Sequence, residues 1–127
     1  MTIARDSRTK SEIVAVSTDD SPVTVYTCPS NCKAHMNLLF FTNASSNASD
    51  VNVQWYRASK TTSYFIIGGK NLSQGEFVQF DGGAFIVLET GDYITIETTN
   101  TAGSGIPNLD AFCTVEEFFL PQQAGAI

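Results

Sequence analysis

Residues 51–57 read VNVQWYR, and this stretch decides the fold class. Val51, Val53 and Trp55 alternate with more polar residues, a period of two that is typical of a strand with one buried face. We expect Trp55 to point inward with the two valines and Tyr56 to point outward. The preceding segment, NASSNASD at 43–50, has the composition of a loop.

Similar short apolar stretches recur on both sides of this strand. Further strands are predicted at 13–17, 23–27, 34–42, 64–67, 77–80, 84–88, 93–98 and 109–119. In the stretch 34–42, Met36, Leu38 and Phe40 are expected to share one face. The Asp-Gly-Gly sequence at 81–83 predicts a tight hairpin turn, because glycine tolerates positive φ.

These elements predict an all-β, antiparallel sandwich of about eight short strands, with no amphipathic helix. The strand order stays open between immunoglobulin-like and jelly-roll forms. The length of 127 residues suits one domain. We divide it into an extended N-terminal arm at 1–12, the β-sandwich at 13–120 and a C-terminal tail at 121–127.

Charge argues for protein partners. The net charge of −6 argues against nucleic acid, which requires a basic footprint. Within 1–12, however, Arg5, Arg8 and Lys10 outnumber the acids, so we predict that this arm contacts a neighbouring copy or partner. The alternative is a solvated chain terminus.

Compartment and membrane signals agree with cytosolic synthesis. The stretch 1–12 lacks the apolar core of a signal peptide, and no apolar run is long enough to span a membrane. Three cysteines are an odd number for a disulfide framework. We therefore expect a chain made in a reducing cytosol, with no membrane partner.

Catalysis and cofactor binding find little support. His35 is the one histidine, and no serine or cysteine next to it forms a nucleophile–base motif. We predict that the chain is not an enzyme and has no catalytic residue or cofactor. Glu116 and Glu117 are expected to be solvated residues that protect an exposed strand edge.

A metal site is considered and not predicted. Cys28, Cys32, His35 and Cys113 offer three thiolates and an imidazole, a ligand set that suits structural zinc. However, the C-x₃-C-x₂-H spacing is not that of a zinc knuckle, and cysteine is commonly a small buried hydrophobe. A Cys28–Cys32 disulfide is the other alternative.

Aromatic residues complete the predicted contact set. Tyr56 and Tyr64 are candidates for exposed contacts, because tyrosine is enriched at protein interfaces. Tyrosine would serve equally well in a carbohydrate site. The predicted protein-contact residues are Arg5, Arg8, Lys10, Tyr56, Tyr64, Phe118 and Phe119.

Six stretches carry a family resemblance: VYTCPSNCKAH at 25–35, LLFFTN at 38–43, VQWY at 53–56, GKNL at 69–72, GEFV at 75–78 and IVLETGDYI at 86–94. They resemble small β-sandwich structural proteins of tailed bacteriophages, of the capsid decoration or cement type. The resemblance implies a virion protein, assembled in the host bacterial cytoplasm, that binds and stabilises the capsid exterior.

The same resemblance implies partners. They are the major capsid protein or other virion proteins, together with further copies of the chain in a homo-oligomer such as a trimer. Two alternatives stay open: a neck or tail structural subunit, and a carbohydrate- or receptor-binding module that uses Tyr56 and Tyr64.

Overall fold

A computed structural model describes residues 7–100 and 107–121, which form eight β-strands and one short 3₁₀ turn at Ala58–Lys60. The strands are β1 (Ser7–Val16), β2 (Val23–Thr27), β3 (Cys32–Asn43), β4 (Ser49–Arg57), β5 (Thr62–Leu72), β6 (Phe77–Leu88), β7 (Tyr93–Asn100) and β8 (Leu109–Phe119). No helix among these residues has the length and apolar content needed to cross a membrane.

The strands form two four-stranded sheets, in the orders β1-β8-β3-β6 and β2-β7-β4-β5. All pairings are antiparallel. Among them, β4 pairs with β5, β3 with β6, β2 with β7 and β1 with β8, as if one long hairpin had been rolled into two layers. This is the order of a jelly roll and differs from the ABED and CFG sheets of immunoglobulin domains. The predicted all-β sandwich is confirmed.

The core lies between the two sheets and is built from alternate residues of their strands. Its largest buried apolar side chains are Met36, Leu39, Phe41, Leu72, Leu88, Ile94, Ile96 and Leu109. Trp55 packs against this core, in agreement with its predicted inward orientation, but it is only half-buried.

The first strand begins earlier than the sequence predicts. Residues 7–12 belong to β1 and pair with β8 from Ser7↔Phe118 to Glu12↔Cys113. Most of their side chains are exposed, so this segment lacks the alternation that would reveal an edge strand. The first strand of the sandwich therefore begins at Ser7, before the predicted start at residue 13. Residues 1–6, including Arg5, and the tail from 122 lie outside the described residues.

The predicted hairpin at 81–83 is wrong. Both predicted strands belong to the single strand β6, which pairs with β3 on either side of a register shift. Met36 pairs with Ile86 and Leu38 with Asp81, so Gly82, with φ at +124°, serves a bulge rather than a turn.

A second bulge, in β3 next to the first, changes which residues of β3 face inward. Met36, Leu39 and Phe41 are buried, whereas Leu38 and Phe40 are not. The expectation that Met36, Leu38 and Phe40 share one face is therefore wrong, because the extra residue, Asn37, shifts the alternation by one position.

Candidate protein-contact surface

An aromatic strip crosses the outer face of the β1-β8-β3-β6 sheet. Ile13 of β1 and Phe40 of β3 both pair with Phe112 of β8, and Phe77 of β6 lies next to Phe40. Ring centroids are 4.8 Å apart for Phe40–Phe112 and 5.3 Å apart for Phe40–Phe77. We call this surface, defined by Ile13, Phe40, Phe77 and Phe112, the aromatic face.

The two ends of the aromatic face are open to solvent. Ile13 is 77% exposed and Phe77 is 59% exposed, while Phe40 and Phe112 are half-buried between them. Antiparallel sheets usually place polar residues on the side that faces water. A contiguous apolar outer face is therefore typical of a surface that another molecule covers.

The outer face of the second sheet is more polar. Asn52, Gln54, Thr95 and Glu97 line it, with the Asn52 amide 3.5 Å from the Glu97 carboxylate. At one end Tyr56 stacks on Tyr93, with ring centroids 4.6 Å apart. The two outer faces of the sandwich thus differ in chemistry.

The two predicted contact tyrosines do not form one platform. Tyr64 pairs with Trp55 and therefore points to the opposite side of the sheet from Tyr56. Tyr64 is exposed, as expected, and its neighbour Phe65 is 64% exposed. Sequence reasoning missed Phe65 as a surface residue, because the apolar run at 64–67 predicts burial.

A buried carboxylate ties the two sheets together at one end. Glu117 of β8 is 0% exposed, and its two oxygens accept hydrogen bonds from the Tyr26 hydroxyl at 2.5 Å and from Arg8 Nε at 2.6 Å. Tyr26 belongs to β2 in the opposite sheet, whereas Arg8 reaches in from the neighbouring strand β1. The expectation of a solvated Glu117 at a strand edge is wrong, because its side chain points between the two sheets and β8 lies inside its sheet.

Electrostatics keeps this cluster charged. Burial acts to raise the pKa of Glu117, but the hydrogen bonds from Tyr26 and Arg8 and the Arg8 charge outweigh it and leave that pKa below its usual value. Burial, followed by the bond to Glu117, raises the pKa of Tyr26, so its hydroxyl remains a donor. The arrangement joins the two sheets and fixes the structure at this end.

Several predicted contact residues already have partners within the chain. Arg8 pairs with Glu117 and lies over the Phe119 ring, 5.5 Å from its centroid. Lys10 pairs with Glu12 at 3.2 Å, and Phe118 packs on His35 with ring centroids 4.5 Å apart. Arg8, Lys10 and Phe119 nevertheless keep substantial exposed fractions, whereas Phe118 is half-buried.

A second buried carboxylate organises the β7 end of the other sheet. Asp92 is buried and accepts hydrogen bonds from Trp55 Nε1 at 3.2 Å and from the Ala58 amide at 2.8 Å. Arg57 Nε lies 3.5 Å from the same carboxylate. Its partners are all internal, so we assign Asp92 a structural role.

The structure does not bring the four candidate zinc ligands together. Cys28 Sγ lies 3.3 Å from the Cys32 carbonyl oxygen, but Cys113 pairs with Leu39, far along β3 from Cys32. His35 is an odd number of positions from Cys32 and points to the other face of β3. Among the described residues, no group of three His, Cys, Asp or Glu side chains is placed to hold a metal ion.

The cysteines are free and buried. Burial, as the largest cause, raises the pKa of Cys28 to about 12 and that of Cys113 to about 11. The Cys28 and Cys113 thiols therefore remain protonated small hydrophobes.

Comparisons with known proteins show the fold and no family. No family model and no curated protein matches the sequence. Among solved structures, a Bacillus endospore appendage protein described as forming disulfide-linked pili has a TM-score of 0.55 at 11% identity, over 95% of this chain and 98% of its own. The capsid of cyanophage Pam1 gives 0.50 at 17% identity, over 95% and 91%.

A third structure, infectious bursal disease virus Gx strain, has a TM-score of 0.53 at 11% identity. It covers 91% of this chain, which spans only 33% of that viral chain. At such identities the three similarities establish a shared jelly-roll architecture and nothing about activity.

Proposed function

We propose that this chain is a structural protein of a virus particle, acting as a decoration protein on the capsid exterior of a tailed bacteriophage. The observation that carries the proposal is the aromatic face, an exposed apolar surface on an otherwise self-contained jelly roll. Such a surface supplies binding energy for assembly without any catalytic group.

Two further observations support placing the chain in a virion. The jelly roll is similar to the capsid structures of cyanophage Pam1 and infectious bursal disease virus. The sequence stretches quoted above resemble phage β-sandwich proteins. The net charge of −6 suits the outside of a capsid, away from packaged DNA.

Assembly in this proposal is non-covalent. The endospore appendage proteins of similar fold are described as disulfide-linked. Here all three cysteines of the sequence, Cys28, Cys32 and Cys113, are buried. A cross-link between native subunits would need a thiol at the surface, so apolar contacts carry the assembly instead.

The partners are the major capsid protein and further copies of this chain. Contact with the capsid uses the segment 1–6, with Arg5, and the tail from 122, in addition to the folded surface. Because a capsid is symmetric, the same weak contact repeats many times and gains by avidity.

The test is the copy number of the chain per purified virus particle, measured by quantitative mass spectrometry against the major capsid protein. Hundreds of copies are expected for a decoration protein. A few copies would instead assign the chain to the neck or tail. Absence from particles would overturn the virion proposal and favour a soluble carbohydrate- or receptor-binding module.

A further inference from the structure

We infer that the aromatic face binds the aromatic face of a second copy of this chain, so that two β1-β8-β3-β6 sheets pack face to face about a twofold axis. The inference rests on the proposed function and deepens it by naming the partner of this surface. The arrangement of side chains on the four strands is what selects a second copy.

The aromatic face is self-complementary. Its centre consists of Phe112 and Phe40, which lie opposite each other on the two central strands of the sheet, β8 and β3. A twofold axis parallel to the strands and between these two exchanges β8 with β3 and β1 with β6. Phe112 of one copy then lies on Phe40 of the other, as an isologous interface requires.

The same operation extends the apolar contact to the sheet edges. Ile13 on β1 is brought over Gln79 of β6 in the second copy, two positions along that strand from Phe77. Phe77 is itself brought over Ala15 of β1. Both solvent-exposed ends of the aromatic face are therefore covered in one step. Aligned packing of two sheets is a common way to bury such faces.

Charges around the aromatic face are also compatible with a second copy. Register places Glu116 beside His35, Asp81 beside Leu38, and Asp110 beside Thr42 on the outer face. Under the same twofold operation, Glu116 meets His35 of the second copy and Asp110 meets its Thr42.

Asp81 is brought opposite Ser11 of the second copy, because Ser11 pairs with Thr114 in the same row as Leu38. Each carboxylate of the face thus meets a potential donor, and no two carboxylates are directly opposed. A random acidic partner would not provide this match.

The size of the sheet agrees with a stable pair. Four strands at a spacing of about 4.8 Å give a width of about 19 Å, and a strand of 11 residues is about 36 Å long. The whole outer side of this sheet therefore covers about 700 Å². That area is close to the ~800 Å² that each partner buries in a standard interface.

The experiment is sedimentation equilibrium of the full chain with three variants. Ile13→Glu and Phe77→Asp alter exposed ends of the aromatic face, and Phe65→Asp is the control, since Phe65 has similar exposure on the other sheet. We expect a wild-type dimer whose dissociation constant rises about tenfold or more in the first two variants and is unchanged in the third. Melting temperatures recorded in parallel verify that all variants fold.

Three outcomes would overturn the inference: a wild-type chain that stays monomeric up to about 100 μM, a trimer, or equal weakening by Phe65→Asp. The inference and the proposed function fail separately. A monomeric chain found in hundreds of copies per particle would refute the pairing and leave the virion role intact. A dimer absent from particles would support the pairing and refute that role.

Discussion

Glu117 and Tyr26 join the two sheets of the jelly roll through one hydrogen bond of 2.5 Å from the Tyr26 hydroxyl to the Glu117 carboxylate. Both side chains are buried. A buried carboxylate is costly unless its oxygens are satisfied, and here Arg8 binds the second oxygen. This end of the sandwich therefore depends on polar contacts as well as on apolar packing.

Removal of the Tyr26 hydroxyl should destabilise the fold. Tyr26→Phe keeps the ring and deletes a hydrogen bond to a charged acceptor, which costs about 1.5–3 kcal/mol. Urea denaturation gives the free energy of unfolding. The matched control is Tyr93→Phe, whose ring stacks on Tyr56 at the outer face. Equal losses in the two variants would contradict a special role for the Tyr26 hydroxyl.

The Glu117 cluster should also make stability depend on pH. The pKa of Glu117 is lowered in the folded chain, so its ionisation stabilises the fold above the unfolded value of about 4.3. That stabilisation is lost as pH falls through the lower, folded value. The charged and titratable groups that act on Glu117 are Arg8, Tyr26 and Lys10.

Comparison of wild type with Glu117→Gln isolates this effect. The wild type should be the more stable at pH 6, and the difference in unfolding free energy should shrink as the pH is lowered below about 4. Urea denaturation across this range measures it. A difference that does not change with pH would show that Glu117 acts through shape alone.

Glu117 also shows which features of the structure can be predicted from the sequence and which cannot. The buried residues Leu109, Ala111, Cys113 and Val115 alternate, and the same period places position 117 inside the sandwich. A glutamate is expected to face solvent because it is charged. Its partners, Tyr26 and Arg8, lie 91 and 109 positions away in the chain, so no local pattern reveals them. The sequence predicts the orientation of this position but not the contacts that permit a charge there.

The aromatic face could not be predicted from the sequence, and the reason differs from that for Glu117. Alternation within 34–42 predicts the strand, but the bulge at Asn37 reverses which side of β3 faces out. Asn37 is neither glycine nor proline, so nothing local marks the irregularity. Because of this shift, Phe40 joins Ile13, Phe77 and Phe112 on the surface.

Gly91 is predicted to be sensitive to a side chain. Its φ is +86°, and an added Cβ would lie 3.1 Å from the Ala58 Cβ. We expect Gly91→Ala to lose about 1–3 kcal/mol of stability through backbone strain. Gly83→Ala is the control, since φ is not positive there and nothing lies within 4 Å of an added Cβ. Its expected change, within about 0.5 kcal/mol, is readily separated in urea denaturation.

The native cysteines should resist alkylation. Cys28, Cys32 and Cys113 are buried, and the pKa values of Cys28 and Cys113 are raised to about 12 and about 11. Iodoacetamide at pH 8 should leave the folded chain unmodified and label all three thiols after unfolding, because the thiolate is the reacting species. Intact-mass spectrometry counts the labels. Rapid labelling of the folded chain would show that the thiols are more accessible than the jelly roll allows.

Two N-terminal deletions of different length should separate an effect on folding from an effect on attachment to a partner. Residues 7–12 form part of β1, and Arg8 holds the Glu117 carboxylate. Deletion of 2–12 should therefore lower the melting temperature, since it removes six of the ten residue pairs that join β1 to β8 and leaves a buried charge with one donor fewer. Deletion of 2–6 ends before the strand and should leave the melting temperature unchanged.

Of the two deletions, only the shorter one tests whether the N-terminal segment contacts a partner. If residues 1–6 clamp the chain to a neighbouring subunit, the chain lacking 2–6 should bind purified particles more weakly than the full chain, measured by co-sedimentation. The full chain with Arg5→Glu reverses one charge of that segment without shortening it and should weaken binding in the same direction. Undiminished binding by both variants would assign attachment to the folded sandwich, because the segment would then contribute neither length nor charge to the contact.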